Sequence, residues 1–254
     1  LGRISGAQEV ALHHASPPCF APLCLILLAG CADSSSDTMT SGPSQQNDPW
    51  APLARYIDAR ETEFEAIPAD RQEELIALGE FVKAARDTGR AELIFICTHN
   101  SRRSHFGQIW AQVAAHHHGL DSLVSTYSGG TEATAMNERA VGALRRAGLD
   151  IHPAQLSENP KYAVHYAADR DPMVCFSKKY DDAEANPTAG FAAVMTCSQA
   201  DRGCPIVYGS AARFSTPYVD PKVSDGTPEE VETYDERCAE IARDMLYVMS
   251  VAAR

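Results

Sequence analysis

The sequence predicts an α/β protein: an open, mainly parallel sheet of four strands flanked by helices, with an extra N-terminal helical pair and a small insertion. Three observations lead there. Short apolar runs at 93–96 and 191–196 have the length and composition of strands buried on both faces, and 123–127 and 213–219 read as two more strands. Between the first two of these in chain order and after the last, apolar residues recur at helical spacing. Residues able to do chemistry (Cys97, Cys197 and Asp220) stand where these runs end, and the carboxyl edge of an open α/β sheet is where ligands collect.

The 254 residues, 44% hydrophobic and 22% charged, fit one such domain with appendages, or at most two domains. A formal net charge of −12 argues against a nucleic-acid surface, so no nucleic-acid partner is expected. It also means that an anionic ligand has to be drawn in by local geometry. The cysteines fall into a head set (Cys19, Cys24, Cys31) and a body set (Cys97, Cys175, Cys197, Cys204, Cys238). They form neither a secreted disulfide framework nor paired C-x-x-C zinc motifs.

Residues 20–30 are an apolar run of signal-peptide length that ends in Leu28-Ala29-Gly30-Cys31. This resembles a lipobox, which implies a signal over 1–31, lipidation at Cys31 and attachment to the bacterial cell envelope by that anchor alone. The Ser/Asp/Gln-rich stretch 32–50 then reads as a flexible tether. Only Arg3 supplies positive charge upstream, and Met39 offers an alternative start that would give a cytoplasmic form. Both readings stay open.

The body begins with a helical extension, 51–90. Leu53, Tyr56, Ile57, Phe64 and Ile67 mark one helix ending near Pro68. Asp70 with Glu73 reads as a capping box for a second, carried by Leu75, Leu78, Val82 and Ala85 to about Gly89. The α/β domain is expected over 91–254, with an insertion at about 151–190. Its first strand runs into Cys97 and the polar loop Thr98-His99-Asn100-Ser101-Arg102. Phe106, Ile109, Trp110, Val113 and Ala114 follow as a helix. Strand, tight loop and helix start make an anion cradle, because backbone N–H groups and the positive helix end face into the loop. Those donors and Arg103 push the cysteine toward the thiolate, with Asn100 where a left-handed turn is easiest and Ser104 within hydrogen-bonding range.

His116, His117 and His118 are consecutive, and side chains so spaced on a helix diverge, so no metal site is expected. Residues 128–132 read as a loop near the first strand. Met136, Ala140, Ala143, Leu144 and Ala147 form a helix closed by Gly148. In the insertion, 161–167 and 172–177 read as a small antiparallel pair around Asp169-Arg170-Asp171. Residues 178–182 read as a polar rim of the site, and Cys175 as core. Thr227-Pro228-Glu229-Glu230 is a helix start, and Val231, Tyr234, Cys238, Ile241, Met245 and Val248 line that helix.

Order and motifs together resemble the low-molecular-weight phosphotyrosine phosphatase superfamily and, within it, the thioredoxin-coupled arsenate reductases. The resemblance runs from about Glu92 to Val251. Cys97-Thr-His-Asn-Ser-Arg-Arg103-Ser104 looks like the signature phosphate-binding loop, Tyr127-Ser-Gly-Gly-Thr131 like the S-A-G-T segment, and Asp220-Pro221 like the general-acid loop. Met195-Thr-Cys197 and Cys204-Pro205 match the second and third redox cysteines of the reductases. His99 stands where the loop usually has Gly, Arg102 where a second cysteine often lies, and the insertion is longer than usual.

The resemblance implies Cys97 as nucleophile, Arg103 with the 98–104 loop (Thr98, His99, Asn100, Ser101, Arg102 and Ser104) as oxyanion holder, and Asp220 as acid. It implies a Cys97–Cys197–Cys204 relay that turns arsenate into arsenite, with no bound cofactor and a dithiol donor such as thioredoxin. The alternatives are a phosphatase acting on a phosphate ester through phosphocysteine, and a non-catalytic oxyanion-binding or redox-sensing protein.

Overall fold

The structure is a computed structural model that describes residues 48–203 and 206–254. Cys19, Cys24, Cys31, Met39 and Cys204 lie outside the described residues. In chain order the elements are α1 (Ala51–Glu61), a 3-10 turn (Phe64–Ala66), α2 (Ala69–Thr88), β1 (Ala91–Cys97), α3 (Arg103–His117), β2 (Val124–Gly130) and α4 (Glu138–Arg146). They continue as β3 (Asp150–Pro153), β4 (Tyr162–His165), β5 (Met173–Cys175), β6 (Ala192–Met195), α5 (Ser198–Gly203), β7 (Ala212–Ser215), a 3-10 turn (Pro221–Ser224) and α6 (Glu230–Ala253).

The main sheet has the strand order β2-β1-β6-β7, and each neighbouring pair is parallel, as the sequence led us to expect. Parallel pairing brings every strand's carboxyl end to one edge. Cys97 pairs with Gly130, Ile96 with Met195, and Met195 with Ser215, so the Cys97 loop, Cys197 and the chain leading to Asp220 start side by side. Strand periodicity divides the core into two. Leu93, Phe95, Ala192 and Val194 face the larger cluster, with Trp110 of α3 and Tyr234, Met245 and Val248 of α6. Ile94, Ile96, Ala193 and Met195 face a smaller one closed by Ala200 and Val207.

Local differences from the sequence reading have local causes. The first helix stops at Glu61 because the Thr62 hydroxyl turns back to the Ala59 carbonyl, 2.7 Å away, and a 3-10 turn bridges to Pro68. No Asp70–Glu73 capping box forms. The helix starts on the Pro68 carbonyl, so Asp70 is already inside the first turn, where its charge suits the helix dipole. The last helix likewise starts at Glu230 rather than Thr227. The Glu230 carboxylate accepts from the Gly226 N–H at 2.6 Å, and Val231 is left 53% exposed.

Residues 128–130 belong to β2, not to a loop. Their glycines are needed for closeness: a Cβ on Gly129 would lie 2.3 Å from Tyr180 Cα, and one on Gly130 2.7 Å from the Asn100 nitrogen. The insertion holds the expected antiparallel pair and a third strand, β3, which the sequence reading lacked.

Candidate active site

Cys97 ends β1 at 4% exposure, directly before a loop whose polar groups are sorted by direction. Each carbonyl from Cys97 to Arg102 is tied to the surrounding scaffold. Thr131 N–H reaches Cys97 O (3.1 Å) and Glu132 N–H reaches Thr98 O (2.8 Å). The hydroxyls of Thr134 and Ser177 reach His99 O (3.0 and 3.1 Å). His105 Nε2 meets Asn100 O (2.9 Å), Asn137 N–H meets Ser101 O (2.9 Å), and Phe106 N–H meets Arg102 O (3.0 Å). Among the described residues, by contrast, no backbone N–H from Thr98 to His105 donates to a protein acceptor. Spent carbonyls and unspent N–H groups around one turn at a helix start give a ring of donors suited to an oxyanion.

Asn100 makes the turn possible. Its φ of 45° is left-handed, a conformation Asn tolerates better than most residues. Its fully buried side chain donates to Ser104 Oγ (2.8 Å) and accepts from Lys178 N–H (2.8 Å). Ser104 Oγ in turn lies 3.1 Å from Cys97 Sγ. The resulting Asn100–Ser104–Cys97 chain presents a hydroxyl to the sulfur.

Arg103 donates from Nη1 to the Tyr218 carbonyl (3.0 Å) and from Nη2 to Asp220 Oδ2 (2.7 Å). Its buried Nε has no hydrogen-bond partner among the described residues. Asp220 also caps the following 3-10 turn through Lys222 N–H (3.1 Å). Cys197, 1% exposed, follows β6. Its sulfur accepts from Ala200 N–H (3.3 Å) and lies 3.6 Å from Thr98 Oγ1, so a second thiol touches the Cys97 loop.

Other expected loop residues are placed differently. The His99 side chain, half exposed, lies 3.8 Å from Glu132 and leans out of the loop. Arg102 is turned toward α6, with Nε on Tyr234 OH (2.7 Å) and Nη2 on Asp225 (3.2 Å), and Ser101 donates to Ala135 O (2.8 Å). These two side chains anchor the loop, leaving only their backbone N–H groups for a ligand. Residues 178–182 are not simply a polar rim: Lys178 is buried behind the loop and holds Asn100 and Gly130, and the neighbouring Ser177, also buried, holds the His99 carbonyl.

Sequence reasoning missed His105. It is fully buried, and burial, with Lys178 adding, pushes its pKa down to about 3, against the pull of the Asn100 carbonyl. It is therefore neutral at pH 7, and the carbonyl fixes its proton on Nε2. It also missed a brace behind the arginine. Asp244, with no exposed surface, accepts from Arg71 (3.0 Å), Tyr218 OH (3.2 Å) and Arg243 (3.0 Å), and Tyr218 is the residue that holds Arg103. No local pattern could have revealed that Arg71, Tyr218 and Asp244, widely separated along the chain, meet behind Arg103. The histidine run also differs from expectation: α3 ends at His117, and His117 and His118 both turn toward Glu61.

Cys175 and Cys238 are core thiols. Burial pushes both up to about 12 and keeps them protonated, and Cys238 accepts from Trp110 Nε1 (3.2 Å).

The fold and site together define a class: a parallel α/β domain with a strand-end cysteine, a helix-opening donor loop and an arginine, built for cysteine-based oxyanion chemistry. Comparison with known sequences agrees. Residues 92–166 match the family model for low molecular weight phosphotyrosine protein phosphatase. An arsenate reductase of Bacillus licheniformis is 29% identical over 145 residues, covering 57% of this chain and 84% of that protein. Arsenate reductase 2 of Staphylococcus epidermidis is 28% identical over 131 residues, covering 51% and 77%. Among solved structures, a low molecular weight protein tyrosine phosphatase from T. tengcongensis aligns at 16% identity and a TM-score of 0.43, covering 63% of this chain and 98% of its own. One from Vibrio cholerae aligns at 14% and 0.41, covering 63% and 95%. Residues 92–166 thus resemble the low molecular weight phosphotyrosine protein phosphatase family, and the matches support a relationship to that superfamily and to the arsenate reductases.

Proposed function

We propose that the protein reduces arsenate to arsenite. The Cys97 thiolate attacks arsenic while the 98–105 N–H groups and Arg103 hold the oxygens, and Asp220 protonates the departing oxygen. Cys197 then attacks the Cys97 sulfur. The S–As bond breaks, its electron pair leaves with arsenic as arsenite, and the two sulfurs, oxidised by two electrons, join as a disulfide. Cys204 next attacks Cys197, releasing Cys97 and leaving a Cys197–Cys204 disulfide for an external dithiol such as thioredoxin. The observation that carries this reading is the contact between Cys197 Sγ and Thr98 Oγ1, which sets a second thiol against the nucleophile's loop. The likeness to curated arsenate reductases supports it. Cys197 is buried, so the exchange requires α5 to move.

A second reading, phosphomonoester hydrolysis, draws on the Arg103–Asp220 pair, which sets a leaving-group acid beside the oxyanion holder. One comparison separates the two. Cys197→Ser and Cys204→Ser each abolish thioredoxin-coupled arsenate turnover and spare hydrolysis of an aryl phosphate. Wild-type arsenate reduction in both variants would refute the relay.

A further inference from the structure

Away from the Cys97 loop, the carboxyl ends of two helices meet. Glu61 is the last residue of α1, His117 the last of α3, and His118 the C-cap that follows. Glu61 Oε1 lies 3.2 Å from His117 Nε2 and 3.6 Å from His118 Nε2, and one ligand atom from each residue falls within 4.8 Å of the others. Within a helix, neighbouring side chains diverge. His118 has left the helix, at φ −91° and ψ 9°, and its ring stands edge-on to that of His117 with centroids 4.9 Å apart.

These spacings are close to what a tetrahedral ion requires. Two donors each about 2.0–2.1 Å from zinc stand about 3.3–3.4 Å apart. Two edges of the triangle are already there, and rotation of the half-exposed His117 ring closes the third. The field favours a cation, since both helices present their negative ends, with a carboxylate between them. His118 Nε2 is shielded from solvent without a hydrogen-bond partner among the described residues, and a buried polar atom in that state calls for one. The neighbouring His116 is already engaged by Asp121 at 3.0 Å.

We propose that Glu61, His117 and His118 bind a divalent transition-metal ion, zinc by its preference for imidazole and carboxylate in tetrahedral geometry, with water as the fourth ligand. The ion clasps α1, in the N-terminal helical extension, to the end of the helix that the Cys97 loop opens. Its role is to join the two helix ends, apart from the reaction at Cys97.

The test uses full-length protein without a polyhistidine tag, stripped with a chelator and titrated with zinc against a chromogenic indicator. We expect one equivalent bound, a raised melting temperature, and a cobalt(II) complex with four-coordinate absorption bands but no thiolate charge-transfer band. Glu61→Gln and His117→Ala, both partly exposed positions, should each weaken zinc binding by at least about 100-fold, since even partners behind metal ligands are worth 10–100-fold. Undiminished binding in both variants, a thiolate band in the cobalt spectrum, or no zinc binding by the wild type would each overturn the assignment.

Discussion

Asp244→Ala tests whether the brace behind Arg103 holds the domain together. Asp244 is fully buried in α6 and accepts from Arg71 on α2, Arg243 and the Tyr218 hydroxyl. The Arg71 guanidinium also lies 4.6 Å from the centre of the Tyr218 ring. Removing the carboxylate takes the buried acceptor from the Arg243 guanidinium and the Tyr218 phenol, and leaves Arg71 only its pair with Glu74. Breaking a buried ion pair from one side costs about 3–5 kcal/mol. For a domain of this size about 2–4 °C is lost per kcal/mol, so the melting temperature should fall by about 6–20 °C. Because the Tyr218 carbonyl moors Arg103, inhibition by phosphate should also weaken at temperatures where the variant remains folded. Asp235→Ala is the internal control: its bidentate pair with Arg146 is about half exposed, and exposed pairs are worth about 0–1 kcal/mol. The measurements are thermal and urea unfolding. An Asp244→Ala loss no larger than that of Asp235→Ala would refute the reasoning.

Two further predictions concern the site. Asp220→Asn removes the acid but frees Arg103 from its carboxylate, so aryl phosphatase turnover should fall by about 100-fold or more while phosphate inhibits at least as tightly. Parallel loss of turnover and phosphate affinity would count against the assigned roles. His105 is held neutral in the fold with a pKa of about 3, whereas in the unfolded chain it titrates near 6.5. Its stabilising contribution is complete above about pH 6.5 and is lost as pH falls toward 3, which amounts to about 2 kcal/mol between pH 7 and pH 5. Urea unfolding at the two pH values should show that loss in wild type and less of it in His105→Gln. Equal losses would remove His105 from the account.

What could be read from the sequence was whatever the chain expresses locally. The apolar run before Cys97, the helical period after it and the Asn at the turn share one short segment, and β1, the loop and α3 stand as expected. β3 was missed because Asp-Ile-His-Pro has too few apolar residues to show an alternation, and it forms only because β4 is there to pair with. Helix starts at Ala69 and Glu230 were misjudged because side chains able to cap were present while the backbone found other acceptors. Within the site, Arg103 and Asp220 were read separately, while their contact is a tertiary event. The supports of the loop (His105, Ser177, Asn137, Tyr218 and Asp244) act on residues far along the chain or through backbone carbonyls, which no spacing rule reports. The convergence of His117 and His118 depended on where α3 ends, and helix boundaries are the least legible feature of a sequence.

The central claim is that the donor loop takes a tetrahedral oxyanion directly over Cys97. Alkylation mapped by mass spectrometry, with and without arsenate or phosphate, tests it most directly. The account predicts that Cys97 is the first thiol modified, that either oxyanion slows its modification in proportion to occupancy, and that Cys175 and Cys238 stay unlabelled throughout. Labelling of Cys97 at one unchanged rate whatever oxyanion is added would contradict it.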